Sequence, residues 1–172
     1  MPLIKNTLEK VVGEEKFEKL KNTKTYKAGV EAFTMNSFSY IIAAPLELGI
    51  AGMDLSEHIQ TRLAAAVTNT LTGRPYGIWR DWVLKKIGVN ENSHWIKKYI
   101  GDTAAFAGFQ LPLYWINMTI GGAEFDEIMK ASTPITFMAG AMGGPYGIYL
   151  DRVRKSADLA SEYLEEKPEV EE

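Results

Sequence analysis

The chain contains no cysteine and only two histidines, His58 and His94. The first absence excludes a disulfide framework and any thiolate metal site. The second leaves too few imidazoles, too far apart in sequence, for a zinc centre. No glycine-rich phosphate loop, nucleophile elbow or basic nucleic-acid stripe occurs, so neither a cofactor nor a nucleic-acid partner is indicated. Alternation of β-branched residues is almost missing as well, which argues for an all-α fold. At 172 residues the chain fits a single domain.

Charge is scarce where the chain is longest. Residues 1–31 carry 12 charged side chains and 151–172 carry another 12, leaving 17 for the 119 residues between them. Two runs have none: Thr103 to Ala123 (21 residues) and Ala131 to Leu150 (20 residues). An uncharged apolar run of about 20 residues is the length that crosses a hydrocarbon core as helix. The mean hydropathy of −0.14 is low for such a protein, because polar ends pull the average down. A soluble helical bundle is the alternative, since Glu47, Arg62 and Arg74 interrupt the first half.

Helical period places four spans at about 30–52, 58–82, 100–122 and 126–150, with short turns at 52–54 and 122–124. The segment 85–98 reads as a polar loop. Charge then tests the membrane reading separately. Asp54, Glu57, Glu124, Asp126 and Glu127 gather at the two turns. Arg80, Lys85, Lys86, Lys97, Lys98, Arg152, Arg154 and Lys155 lie at the opposite ends, and five lysines fall within residues 16–27. Lys and Arg mark cytoplasmic flanks, which puts both termini and the central loop on that side. Residues 1–29 form a basic extension whose apolar stripe, Ile4, Leu8, Val11, Val12, Phe17 and Leu20, touches the bilayer or the bundle while its lysines meet headgroups, or which is simply a solvated helix. Residues 30–155 form the four-span domain and 156–172 an acidic tail. No secretory leader pattern opens the chain.

The phrase "GRPYGIWRDWV" (73–83) returns as "GGPYGIYLDRV" (143–153). At the same offset of seventy, Gly52 falls on Gly122 and Glu57 on Glu127. This spacing predicts two tandem copies of one helical hairpin, about 32–83 and 102–153, in parallel orientation. In the phrase, Gly73 and Gly77 lie four apart, as do Gly140 and Gly144, and Gly143 and Gly147. Small residues at this spacing let helices approach closely in lipid. With Pro75, Tyr76, Pro145 and Tyr146 among them, they are candidates for helix packing, with spans two and four crossing there, or for a flexible inner gate. Asp81 and Asp151 would close these helices at the interface.

Folding each hairpin about its turn sorts polar residues by depth. Glu47 falls level with Arg62, an ion pair that makes both tolerable in lipid. Alternatively, Arg62 receives a ligand carboxylate and Glu47 an ammonium or a proton. Tyr40, Asn69 and Gln110 share a layer near midplane, where transporter sites commonly lie, or serve as interhelical hydrogen-bond glue. Asp102 lies near the cytoplasmic boundary within reach of Arg74, either solvated, paired, or carrying a proton. Too few carboxylates converge for hydrolytic chemistry, so no enzyme is expected.

Residues 61–83, 95–115 and 140–155 resemble the L-alanine exporter family, small four-span bacterial inner-membrane proteins. The motifs that carry the resemblance are Arg62-Leu63, Pro75-Tyr76-Gly77 with Arg80-Asp81, Trp95-Ile96-Lys97, Asp102, Phe109-Gln110 with Pro112 and Tyr114, and Tyr146-Gly147 with Leu150-Asp151. The resemblance implies export of L-alanine or a similar small neutral amino acid by exchange with protons. On the depth reading, Glu47 or Asp102 would carry that proton. Four helices make a cramped path, so a homodimer is expected. A membrane scaffold that transports nothing is the alternative from another class. The chain departs from the family pattern in its long N-terminal extension, in Arg74 where an apolar or aromatic residue is usual, and in a first span made polar by Asn36, Ser37 and Ser39.

Overall fold

The computed structural model describes residues 3–50, 54–120, 125–161 and 164; the expected turns, apart from Asp54, and the acidic residues 165–172 lie outside them. Among the described residues the chain is entirely helical: α1 (Leu3–Val12), α2 (Glu14–Lys21), α3 (Lys24–Ala44), α4 (Leu55–Lys86), α5 (Trp95–Ile120) and α6 (Phe125–Ser156). Gly13, at φ 89°, makes the corner between α1 and α2. Thr23 caps α3, its hydroxyl accepting from the Tyr26 amide at 3.1 Å. Pro45 cannot donate to the α-helical ladder, and a wider π-helical turn, Pro45–Ile50, takes over there. The other interior prolines do not stop their helices: α4 continues through Pro75 and α5 through Pro112.

α4 and α6 end in the same way. Gly88, at φ 68°, lets the Val89 amide reach back to the Leu84 carbonyl (2.9 Å) and its own amide to Lys85 (3.1 Å). Asp158, at φ 57°, lets the Leu159 amide reach the Arg154 carbonyl (2.9 Å) and its own amide Lys155 (3.4 Å). These are paired Schellman closures, one with glycine in the left-handed position and one with aspartate.

The chain divides into two compact units. The first comprises Met1–Gly77 with Tyr149–Ala160, the second Ile78–Ile148 with Ser161–Glu172. In the first, the apolar stripe of the extension packs inward: Phe17, Tyr26, Val30, Val153 and Ala157 form a core on which Ile4, Leu8, Val12 and Leu20 rest. The Ile4 amide donates to Ser156 Oγ (3.3 Å) and the Tyr26 hydroxyl to the Ala157 carbonyl (2.9 Å). Lys5 and Lys21 both reach Asp158, at 3.3 and 2.9 Å. The Lys21–Asp158 hydrogen bond is the main reason the Lys21 ammonium is raised above its ordinary pKa and the Asp158 carboxyl held below its own. The extension is thus clasped to the end of α6 rather than left as a loose arm. In the second unit Leu84 and Val89 form a small core with Leu164 against it.

Among the described residues no helix is both long enough and apolar enough to cross a membrane. The polarity is unevenly placed, however. On α4, Leu55, Ile59, Leu63, Val67 and Leu71 recur every four residues and are all exposed, Leu71 to 70%. Buried positions include Glu31, Arg80, Asp81, Asp102 and Arg154. These five charges lie inside while the apolar stripe of α4 lies outside.

Candidate functional site

In the first unit a ladder of polar contacts runs along the face between α3 and α4. Arg74 Nη1 donates to both carboxylate oxygens of Glu31 at 3.1 Å. Further along, Asn36 Nδ2 donates to Thr70 Oγ1 at 3.1 Å, and Arg62 Nη1 to Ser39 Oγ at 3.2 Å. The hydroxyls on these helices also bond back within the helix, Ser37 to the Phe33 carbonyl and Thr70 to the Ala66 carbonyl, each at 2.7 Å. Such back-bonding satisfies hydroxyls in an apolar setting. Beside the ladder is an open cavity of about 420 Å³, lined by Asn36, Ser39, Tyr40, Arg62 and Asn69 with Phe33, Ile41 and two alanines. That volume suits a small ligand, and the lining is apolar with a few convergent polar groups. Tyr40 also packs edge-on to His58, at 5.9 Å between centroids.

Two buried carboxylates sit where the repeated phrase meets the preceding helix. Glu31 is 1% exposed and receives Arg154 Nη2 from α6 as well as Arg74. A Cβ added to Gly77 would lie 2.5 Å from the Glu31 carboxyl carbon, so the glycine makes the seat for that carboxylate. Gly73 likewise lies on the backbone of Ala32, where a Cβ would come within 2.9 Å. In the second unit Asp102 is fully buried; Arg80 Nε donates to it at 2.8 Å and Lys98 Nζ at 2.8 Å. Gly147 is the seat there, because a Cβ would collide with the Asp102 carboxyl. Gly143 and Gly144 lie against Thr103 and the Tyr99 ring. Tyr76 and Tyr146, one residue before each seat, are both fully buried.

The structure brings three of the five expected substrate residues, Tyr40, Arg62 and Asn69, to one cavity. Glu47 belongs to the π-helical turn, and its side chain lies outside the described residues. Gln110 is half-buried on α5 in the second unit. Asp102 is not solvated, and Arg74 turns to Glu31 instead of to it. Arg80 and Asp81 are both buried. Gly73 and Gly77 of α4 face α3, and Gly143, Gly144 and Gly147 of α6 face α5, while Arg80 of α4 reaches the Gly147 carbonyl at 3.4 Å. Among the described residues nothing lies within 4 Å of a Cβ on Gly140. Sequence reasoning missed Glu31 and Arg154. A signal existed: Glu31 precedes Gly77 by 46 residues and Asp102 precedes Gly147 by 45. Among the described residues no group of three or more metal-ligating side chains is arranged to hold an ion.

Comparison with known proteins gives one consistent result. The model of the family AlaE, L-alanine exporter, matches residues 20–159. The L-alanine exporter AlaE of Photobacterium profundum is 32% identical over 128 residues, 74% of this chain and 80% of that protein. Those of Cereibacter sphaeroides and Escherichia coli K12 are 34% and 30% identical, over 68% and 74% of this chain and 84% and 85% of their own length. No solved structure matches the chain.

Proposed function

The chain belongs to the L-alanine exporter family, and on that premise we propose that it exports L-alanine or a similarly small neutral amino acid across the inner membrane. The observation that carries this reading is the inverted polarity: guanidinium and carboxylate groups are buried while aliphatic side chains at four-residue spacing are exposed along α4. Soluble proteins seldom expose an apolar stripe of that length, whereas lipid covers one without cost. α3 to α6 then span the bilayer as two parallel hairpins with both termini cytoplasmic. Burial supports the duplication. Position by position, 71–80 and 141–150 share the same buried and exposed pattern, differing only at Arg74 and Gly144.

The ladder between α3 and α4 is the transport face. Arg62, with Tyr40 and Asn69 at the cavity, receives the substrate carboxylate. Glu47 takes the ammonium, and Gln110 is a further substrate residue. Glu47 or Asp102 carries the exchanged proton, and a homodimer widens the path that four helices leave. The test is membrane fractionation followed by reconstitution into liposomes loaded with labelled L-alanine, with and without a pH gradient. Gradient-stimulated efflux is expected. Glu47→Gln and Arg62→Gln should each reduce efflux at least about tenfold, the loss typical of removing a charged group that orients substrate. Undiminished efflux and coupling in both variants would remove them from the site, and a protein recovered without detergent would end the membrane reading.

A further inference from the structure

Three helices converge on the Glu31 carboxylate, and nothing in packing requires that they do. A buried ion pair seldom stabilises a fold more than well-packed apolar side chains of the same volume would. Here the pair is elaborate. Arg154, 2% exposed, donates to Glu31 from α6, and Arg74 donates to both its oxygens from α4. Arg74 alone among the three has an accessible side chain, at 23%. One turn further along, Asn36 and Thr70 continue the same face into the cavity at Arg62. Asn36 is five residues beyond Glu31, about 7.5 Å along the helix axis.

We infer that Glu31 and Arg74, backed by Arg154, are the site at which the zwitterionic amino acid is loaded, by exchange for the Glu31–Arg74 ion pair. This rests on the exporter reading above. An α-amino acid carries one carboxylate and one ammonium on neighbouring groups and no net charge. It is therefore the small ligand that replaces both halves of an ion pair without leaving a buried charge uncompensated. Its carboxylate takes the planar fork of Arg74, a geometry that suits bidentate binding. Its ammonium takes the Glu31 oxygens that Arg74 gives up, while Arg154 stays bonded and holds Glu31 in place. Gly77 keeps the floor of the site clear. The Asp102 cluster of the second unit is not equivalent in this respect. Its accessible cation is Lys98, a point charge four residues away on the same helix, without a fork.

The experiment is equilibrium binding of labelled L-alanine to the full chain purified in detergent. Competitors are unlabelled L-alanine, propionate (carboxylate only) and L-alaninamide (ammonium only). In Glu31→Gln, alanine and alaninamide should weaken roughly tenfold while propionate stays within about twofold, because only ligands with an ammonium lose a partner. In Arg74→Gln, alanine and propionate should weaken and alaninamide should not, and Arg74→Lys should recover part of the alanine affinity. Equal weakening of all three ligands, or of none, overturns the loading site, as does a wild-type chain that binds no alanine. Arg74→Gln changes a partly exposed side chain and decides the matter even if Glu31→Gln fails to fold. Because binding is read apart from efflux, a chain that exports alanine but shows no charge-specific loss retains the exporter reading and loses only this one. Selective binding without efflux does the reverse.

Discussion

A single methyl group discriminates among the glycines. Gly77 and Gly147 each hold a carboxylate where a side chain would stand, and arginines clasp both carboxylates from another helix. Neither carboxylate can swing aside without breaking a buried ion pair. Gly77→Ala and Gly147→Ala should therefore destabilise by roughly 1–3 kcal/mol, the usual range for overpacking. Gly140 has open space around it among the described residues, and there alanine should gain about 0.5–1 kcal/mol from helix propensity. Thermal melting in one detergent reads both signs, and a Gly140→Ala variant as damaged as Gly77→Ala would contradict the assignment of seats. The repeated phrase is thus explained residue by residue: proline on the exposed side, tyrosine buried, and glycine under a carboxylate.

At the scale of elements, the helices were legible because hydropathy and turn residues repeat at helical spacing: α4 and α6 enclose the expected spans, while α3 and α5 begin before theirs and end short of them. The cavity residues Tyr40, Arg62 and Asn69 were legible because reflection about a turn reproduces how two antiparallel helices face each other. Glu31 and Arg154 were not. They lie among the charges of the two ends, and hydropathy cannot distinguish a solvated charge from one whose partner is 123 residues away. The extension was half legible: its apolar stripe was evident, while its contact with α6 required tertiary structure. That contact is pH-dependent at both limits. Asp158 is ordinarily half-protonated near pH 4. Its folded pKa is depressed, first by the hydrogen bond from Lys21 and also by Lys5, so its stabilisation is complete above about pH 4 and is lost as pH falls through the lower folded value. Lys21 is raised, first by Asp158 and then by Glu18, so its share is complete below about pH 10.4 and is lost as pH climbs through the higher folded value. Amide protection across α1 and α2, taken relative to the intrinsic exchange rate at each pH, should fall at either extreme, and Asp158→Asn should lower it at neutral pH. Unchanged exchange in that variant would mean that the apolar contacts alone hold the extension.

Taken whole, the molecule is a helical protein that buries Glu31, Arg80, Asp81, Asp102 and Arg154, and two of its helices close by the same hydrogen-bond pattern seventy residues apart. Where α4 closes on Gly88, α6 closes on Asp158 in the left-handed region, a conformation aspartate tolerates less well than glycine. That residue answers to two demands that pull against each other, one local and one from residues 5 and 21. Its mutational effect therefore has no fixed sign. In the full chain, Asp158→Gly relaxes the end of α6 but releases the extension, and the two effects oppose. In a chain cut before Lys24 only the relaxation remains, and the same substitution should raise the melting temperature by a few degrees. The opening residues thus decide whether a change at the far end of the sequence is a gain or a loss. This is sign epistasis across more than 130 positions, mediated by two lysines.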